Sequence, residues 1–302
     1  MTVTAAILDR ASREHQRILA RARQAVRFAL AFRDRSLPLM AQGRNFTIAG
    51  PGGSLPARLS APHGAAADGP TLVFFHGGGF VAGDLDTHDA FCVRLADAAG
   101  VKVIGCDYRL APEAPFPAQL DDAVAAFRWI REHAAELAIN PDALALGGDS
   151  AGGYLAVAAT RRLNREAPGA VRAQVLVYPL LHLDDGIWAA SLLEDSRVIG
   201  RLAVGYIRAQ LATSEAPSLL DGVDATTPPT LLVAGGALDP CRPDAIAYGQ
   251  SLAAVGVPLD QRWFEGQMHG FINLTHVSGE IRDAVADIGH RAGRLLNAAC
   301  AR

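Results

Sequence analysis

The chain has 302 residues, half of them apolar, with 28 basic and 31 acidic side chains and a net charge of −3. That length buries one large core rather than two equal ones, and the charge balance offers nothing to a polyanion such as nucleic acid. No run approaches the roughly 18 to 20 apolar residues of a membrane span, and four cysteines without a CxxC pair require no disulfide framework.

From Thr4 to about Phe32, Ile7, Leu8, Ala11, Ile18, Leu19, Ala22, Val26, Ala29 and Leu30 recur at helical spacing, with arginines between them. Acidic Asp9 and Glu14 interrupt the basic face, so the helix is expected to pack on its own protein rather than on a membrane. The first residues turn charged too early for a signal-peptide core, which leaves a cytoplasmic location as the expectation. Residues 45–48 and 55–59, split by Gly-Pro-Gly-Gly at 50–53, predict an antiparallel hairpin, and 62–70 a loop. Strand-like runs then fall at 71–75, 101–106, 143–146, 173–178, 230–233 and 259–264. Helical patterns cover 86–98, 119–138, 151–165, 243–255 and 279–298. Strands alternating with helices predict an α/β protein with a mostly parallel sheet flanked by helices. Residues 184–226 carry no strand pattern and are too long for an ordinary connection, so a helical cap is expected there. Cys92 and Cys106 lie in apolar stretches and are expected to be ordinary buried thiols.

Gly148-Asp149-Ser150-Ala151-Gly152 fits G-x-S-x-G, with a predicted strand directly before it and a predicted helix directly after it. That context lifts a weakly nucleophilic hydroxyl out of a tight turn, and the free N–H groups of the helix start face developing negative charge. A lone match of this kind could equally be a Gly-rich turn with a capping serine. A second motif argues against that reading. His76-Gly77-Gly78-Gly79-Phe80 follows the 71–75 strand, and three bare glycines let backbone N–H groups approach a substrate oxygen. Gly78, Gly79 and Ala151 are the expected oxyanion donors, with Gly77 the weaker candidate. A phosphate-cradling loop would need GK[ST] or GxGxxG spacing, and neither is present. His76 is expected to hold this loop by hydrogen bonds.

Nine histidines compete for the part of general base. His269 stands in the loop after the last predicted strand, and Asp239 in the loop leaving the strand before it, where parallel sheets gather their chemistry. The order Ser150, Asp239, His269 suits a nucleophile, an orienting acid and a base. The runners-up are His276 for the base and Asp244 for the acid.

With HGGGF, GDSAGG and MHGF in hand, the chain resembles the bacterial hormone-sensitive-lipase-like esterases of the GDSAG branch, in the α/β-hydrolase superfamily. Residues 83–89 (GDLDTHD), 107–113 (DYRLAPE), 116–118 and 121–123 match as well, and the likeness runs from about 70 to 275. It implies an α/β-hydrolase core at 44–183 and 227–302, with a cap built from 1–43 and 184–226. It also implies a serine carboxylesterase acting with water on small esters of short to medium acyl chain, with oxyanion donors at Gly78, Gly79 and Ala151. No cofactor, metal or membrane partner is implied, and a homodimer through a sheet edge is. Phe80, Tyr178 and His182 are candidate pocket residues. Tyr154 departs from the family's usual Asn, and Cys241-Arg242-Pro243-Asp244 from its usual Leu-Arg-Asp-Glu, which leaves the pocket floor and the support of Asp239 open.

The same triad would serve lactones, amides or thioesters. The plant gibberellin receptor, a non-catalytic binder, resembles this family but lacks the catalytic histidine, whereas His269 is present here. A metal hydrolase is disfavoured, since there is no HExxH and the histidines lack ligand spacing.

Overall fold

The computed structural model describes residues 36–182 and 217–301, together with 16–17, 19–21, 23–25, 27, 207 and 209. An eight-stranded sheet runs in the order β1-β2-β4-β3-β5-β6-β7-β8. The antiparallel hairpin of β1 (Gln42–Gly50) and β2 (Gly53–Ala61) forms one margin, and β2 meets β4 (Lys102–Cys106) antiparallel. From β4 onward every pairing is parallel, through β3 (Thr71–Phe75), β5 (Leu144–Asp149), β6 (Gln174–Val177), β7 (Thr230–Gly235) and β8 (Leu259–Phe264). β3 to β7 are buried along their whole length. That matches continuous apolar runs rather than alternation, because helices cover both faces of a parallel sheet.

The helices are α1 (Leu85–Ala99), α2 (Ala118–Glu132), the short α3 (Ala134–Leu137), α4 (Ala151–Glu166), α5 (Arg242–Ala254) and α6 (Gly279–Cys300). Local chemistry sets their ends. Asp84 and Thr87 form a capping box at the start of α1, left-handed Gly100 closes it, and the Ser278 hydroxyl accepts the Ile281 N–H to open α6. The expected helix over 119–138 divides at His133. There the backbone N–H bonds the Trp129 carbonyl and the ring nitrogen stands 2.9 Å from the same oxygen, so the turn closes on itself. β5 runs past Leu146 through Gly147, Gly148 and Asp149, because β3 and β6 supply partners on both sides and hold two glycines extended. The hairpin strands likewise outrun the apolar segments, reaching Gln42 and Ala61.

The helix expected over Thr4–Phe32 and those near 186–194 and 198–212 lie largely outside the described residues, as do the 1–43 and 184–226 units as wholes. Where the N-terminal segment is described it is helical, with Leu19 buried. Arg23 and Arg27 turn to the same molecule, Arg23 donating to the carbonyls of Val81 and Ala111 and pairing with Glu113, Arg27 pairing with Asp84 and Asp86. Among the described residues no helix is long and apolar enough to cross a membrane.

The 107–113 segment is pinned by one buried carboxylate. Asp122, on α2 and 1% exposed, accepts the Arg109 backbone N–H at 2.9 Å and the guanidinium at 2.7 to 3.1 Å. Asp122→Ala removes all of these at once. Urea unfolding should lose about 2–3 kcal/mol of stability, and a loss within about 0.5 kcal/mol would contradict the pinning.

Candidate active site

The carboxyl ends of β3, β5, β7 and β8 lie along one edge of the sheet, and each releases a loop there. β5 ends at Asp149, and Ser150 turns the chain into α4 with φ 52°, ψ −117°, a strained conformation for a non-glycine residue. The turn closes so tightly that a Cβ on Gly152 would stand 1.9 Å from the Phe75 carbonyl oxygen, so only glycine fits. Ser150 is 8% exposed, and its Oγ lies 3.0 Å from His269 Nε2. On the other side of the ring, Nδ1 lies 2.8 Å from Asp239 Oδ1. Asp239 is fully buried, and its carboxylate also accepts the backbone N–H of Gly235 at 2.8 Å and of Cys241 at 3.0 Å. These three contacts hold the carboxylate in one orientation and turn one oxygen to the imidazole.

The loops bearing Asp239 and His269 are fastened together. The Gly236 N–H donates to the Gln267 carbonyl at 2.7 Å, and Arg242 forms a two-pronged ion pair with Glu265 at 2.5 and 2.6 Å. The Tyr178 ring lies 4.4 Å from the His269 ring, centroid to centroid, and walls its buried side.

Gly77, Gly78 and Gly79 leave β3 toward Ser150. The Gly77 N–H is taken by Asp149 Oδ1 at 2.7 Å, whereas among the described residues no hydrogen bond engages the N–H of Gly78, Gly79 or Ala151. Gly78 takes φ 121°, and a Cβ there would meet the Ala82 oxygen at 2.1 Å.

Three further residues under this loop escape a motif search. Asp149, in the variable place of G-x-S-x-G, is 2% exposed and faces His88 Nε2 across 3.2 Å. Asn273, four residues past His269, sets its amide 3.1 Å from the same nitrogen. One buried chain of contacts therefore joins the glycine loop after β3, the strand leading to Ser150, α1 and the turn that follows His269. Burial alone would lift the Asp149 carboxyl, but His88 and the Gly77 N–H outweigh it and hold it below the ordinary carboxylate value. Burial likewise depresses the His88 imidazolium, and Asp149 more than offsets this, leaving it above the ordinary histidine value. His76 behaves in the opposite way: burial and then the His88 charge push it down to about 4. Its Nδ1 is 2.8 Å from the Gly77 oxygen and its ring stacks on Tyr108, so it braces the loop.

The runners-up have other duties or lie apart. Asp244, 2% exposed in the first turn of α5, accepts the backbone N–H groups of Leu181 and His182 at 2.7 and 2.9 Å. It pegs the exit of β6. Pro243 sits in the first turn of α5, where its missing N–H costs nothing. It is His269, not His276, that lies on the Ser150 hydroxyl. Of the candidate pocket residues, Phe80 is fully buried edge-on against Phe116 and Tyr154, Tyr178 lies beside His269, and His182 is half-buried. Tyr154 uses its hydroxyl to bond the Pro217 carbonyl at 2.9 Å, tying α4 to the segment that follows the 184–216 stretch.

A hydroxyl, an imidazole and a buried carboxylate joined in that order, at the carboxyl ends of a mostly parallel sheet, define a site of the serine-hydrolase type. A family model described as alpha/beta hydrolase fold matches residues 72–273, and the chain belongs to that family, in its hormone-sensitive-lipase-like esterase branch. Among its relatives, the carboxylic ester hydrolase LipN of Mycobacterium tuberculosis is 35% identical, over 89% of this chain and 72% of that protein. An ethyl acetate hydrolase of Pseudomonas putida is 34% identical, over 76% of this chain and 75% of its own. In three dimensions the chain is similar to a thermostable carboxylesterase cloned from a metagenomic library, with TM-score 0.83 and 31% identity, over 93% of this chain and 97% of that one.

The two histidines beneath the loop titrate on opposite sides of the free value of about 6.5. His88, raised in the folded state, stabilises the fold fully below that value and loses the contribution as pH rises through its folded value. Imidazole nitrogen NMR at about pH 6 should find His76 neutral and His88 doubly protonated; the reverse order would contradict the buried pair.

Proposed function

We propose that the chain is a serine carboxylesterase for esters of short to medium acyl chain, with Ser150 as nucleophile, His269 as base and Asp239 as its orienting acid. The observation that carries this reading is the unbroken line of contacts from Ser150 Oγ through both nitrogens of one ring to the Asp239 carboxylate, at 3.0 and 2.8 Å. His269 Nε2 takes the hydroxyl proton as Oγ attacks the ester carbonyl. The oxygen that gains charge is received by the N–H groups of Gly78, Gly79 and Ala151, each such donor contributing on the order of 2.7 to 4 kcal/mol. His269 then returns the proton to the departing alcohol, leaving an acyl-Ser150, and water attacks that ester through the same base. Asp239 keeps the ring in one tautomer and balances its charge when both nitrogens are protonated.

The cap reading joins residues 1–43 and 184–226 over this site. It is supported by Ile207, whose Cδ1 stands 2.3 Å from where a Cβ on Gly79 would be, and by Arg23, which bonds the carbonyls beside the oxyanion loop. A covered site favours small esters over bulky triglycerides, with Phe80, Tyr178 and His182 shaping the acyl pocket. A homodimer through a sheet edge and a cytoplasmic location complete the reading; four free thiols support the latter.

Ser150→Ala and His269→Ala should each lower kcat by on the order of 10⁴ or more while the urea-unfolding midpoint holds. Asp239→Asn should cost about 10⁴-fold by fixing the wrong tautomer. A harmless Asp239→Asn beside a damaging Asp244→Asn would reverse the acid assignment. With p-nitrophenyl esters from acetate to palmitate, turnover should peak at or below octanoate, and a palmitate optimum would contradict the covered site.

A further inference from the structure

The acid and base of the triad have a neighbour that hydrolysis does not use. Cys241, two residues past Asp239 at the entrance to α5, is 2% exposed and a free thiol. Its sulfur, a carboxylate oxygen of Asp239 and an imidazole nitrogen of His269 all lie within 4.8 Å of one another. The nitrogen on the Asp239 side is Nδ1, since Nε2 stands on Ser150. Thiolate, imidazole and carboxylate are the donor types that bind zinc. On a tetrahedron with bonds of about 2.0 to 2.3 Å, ligand atoms are separated by roughly 3.5 Å. Gathering this trio around one ion therefore asks for shifts of about an ångström, with no change of fold.

Charge points to the same class of ion. A buried site rejects unbalanced charge, and a divalent cation held by one thiolate, one carboxylate and one neutral imidazole is neutral as a unit. The sulfur selects a thiophilic metal over magnesium or calcium. No spacing in the sequence announces this cluster, because its members come from two loops that only the fold brings together.

We propose that Cys241, Asp239 and His269 form an inhibitory site for a thiophilic divalent cation, Zn²⁺ or Cd²⁺. On binding, bonds form from the metal to sulfur, to Nδ1 and to a carboxylate oxygen. The S–H bond breaks and its proton leaves to solvent. The proton on Nδ1 is displaced, and the ring carries its one proton on Nε2 instead. Nε2–H then points at Ser150 Oγ as a donor and cannot take the hydroxyl proton. Hydrolysis stops at its first step whatever the ester, so kcat falls while KM holds. The inhibitory consequence rests on the triad reading above; the binding of the metal does not.

Cadmium titration tests both parts, with the ultraviolet cadmium–thiolate charge-transfer band and ester hydrolysis read together. The proteins compared are the wild type, Ser150→Ala, Cys241→Ala and, closer in volume to cysteine, Cys241→Val. The band should form in the wild type and in Ser150→Ala and be lost from both Cys241 variants. The cadmium concentration that halves kcat should rise about tenfold or more in those variants. Inhibition of equal strength without Cys241, or a wild type with no Cys241-dependent band, would overturn the site. A Cys241-dependent band beside undiminished hydrolysis would overturn the inhibitory role alone. The triad reading fails separately, if Ser150→Ala keeps its activity.

Discussion

One imidazole has to lie within hydrogen-bond reach of two partners at once, and the rest of the molecule is arranged around that demand. Ser150 is 119 positions from His269 in the chain, and Asp239 is 30. Hydrogen bonds weaken steeply over a few tenths of an ångström, so three loops must be fixed relative to one another far better than loops ordinarily are. The parallel run from β3 to β8 supplies the frame by opening the loops along one edge. The backbone bonds onto the Asp239 carboxylate, the Gly236–Gln267 link and the Arg242–Glu265 pair supply the last adjustment.

The same demand explains why so much charge is buried beneath the glycine loop. Bare glycines let the backbone approach an oxygen, but they also leave it free to take other conformations. Asp149 answers that by holding the Gly77 N–H, and His88 and Asn273 continue the connection to α1 and to the segment after His269. A buried ion pair adds little to stability by itself, because desolvation offsets attraction. Here its effect is geometric: the glycine loop, the strand leading to Ser150 and the turn after His269 share one set of contacts.

What the sequence makes legible is what local pattern encodes. The strand-like runs at 71–75 and 259–264 coincide with β3 and β8, and the glycine-framed Ser150 and the 76–80 loop sit where their flanking strand and helix put them. Strand and helix ends are less legible where partners decide them, as in β5, which stays extended through two glycines, or the helix that stops at His133. Residues whose meaning lies in a distant contact are not legible at all. Asp149 passes for a variable motif position, His88 for part of a helix start, and Asp244 for an alternative acid, until their partners are seen. Tyr154 and Pro243, departures from the family pattern, have local reasons, one a bond to Pro217 and the other a tolerated place in the first turn of α5.

The central claim is that the Ser150 hydroxyl, deprotonated by His269, is the atom that carries the acyl group. Incubation with a fluorophosphonate, followed by peptide mass spectrometry, tests this most directly. The account predicts one adduct, on the peptide containing Ser150, formed far more slowly in His269→Ala. An adduct on another residue, or labelling of Ser150 at an unchanged rate without His269, would contradict it.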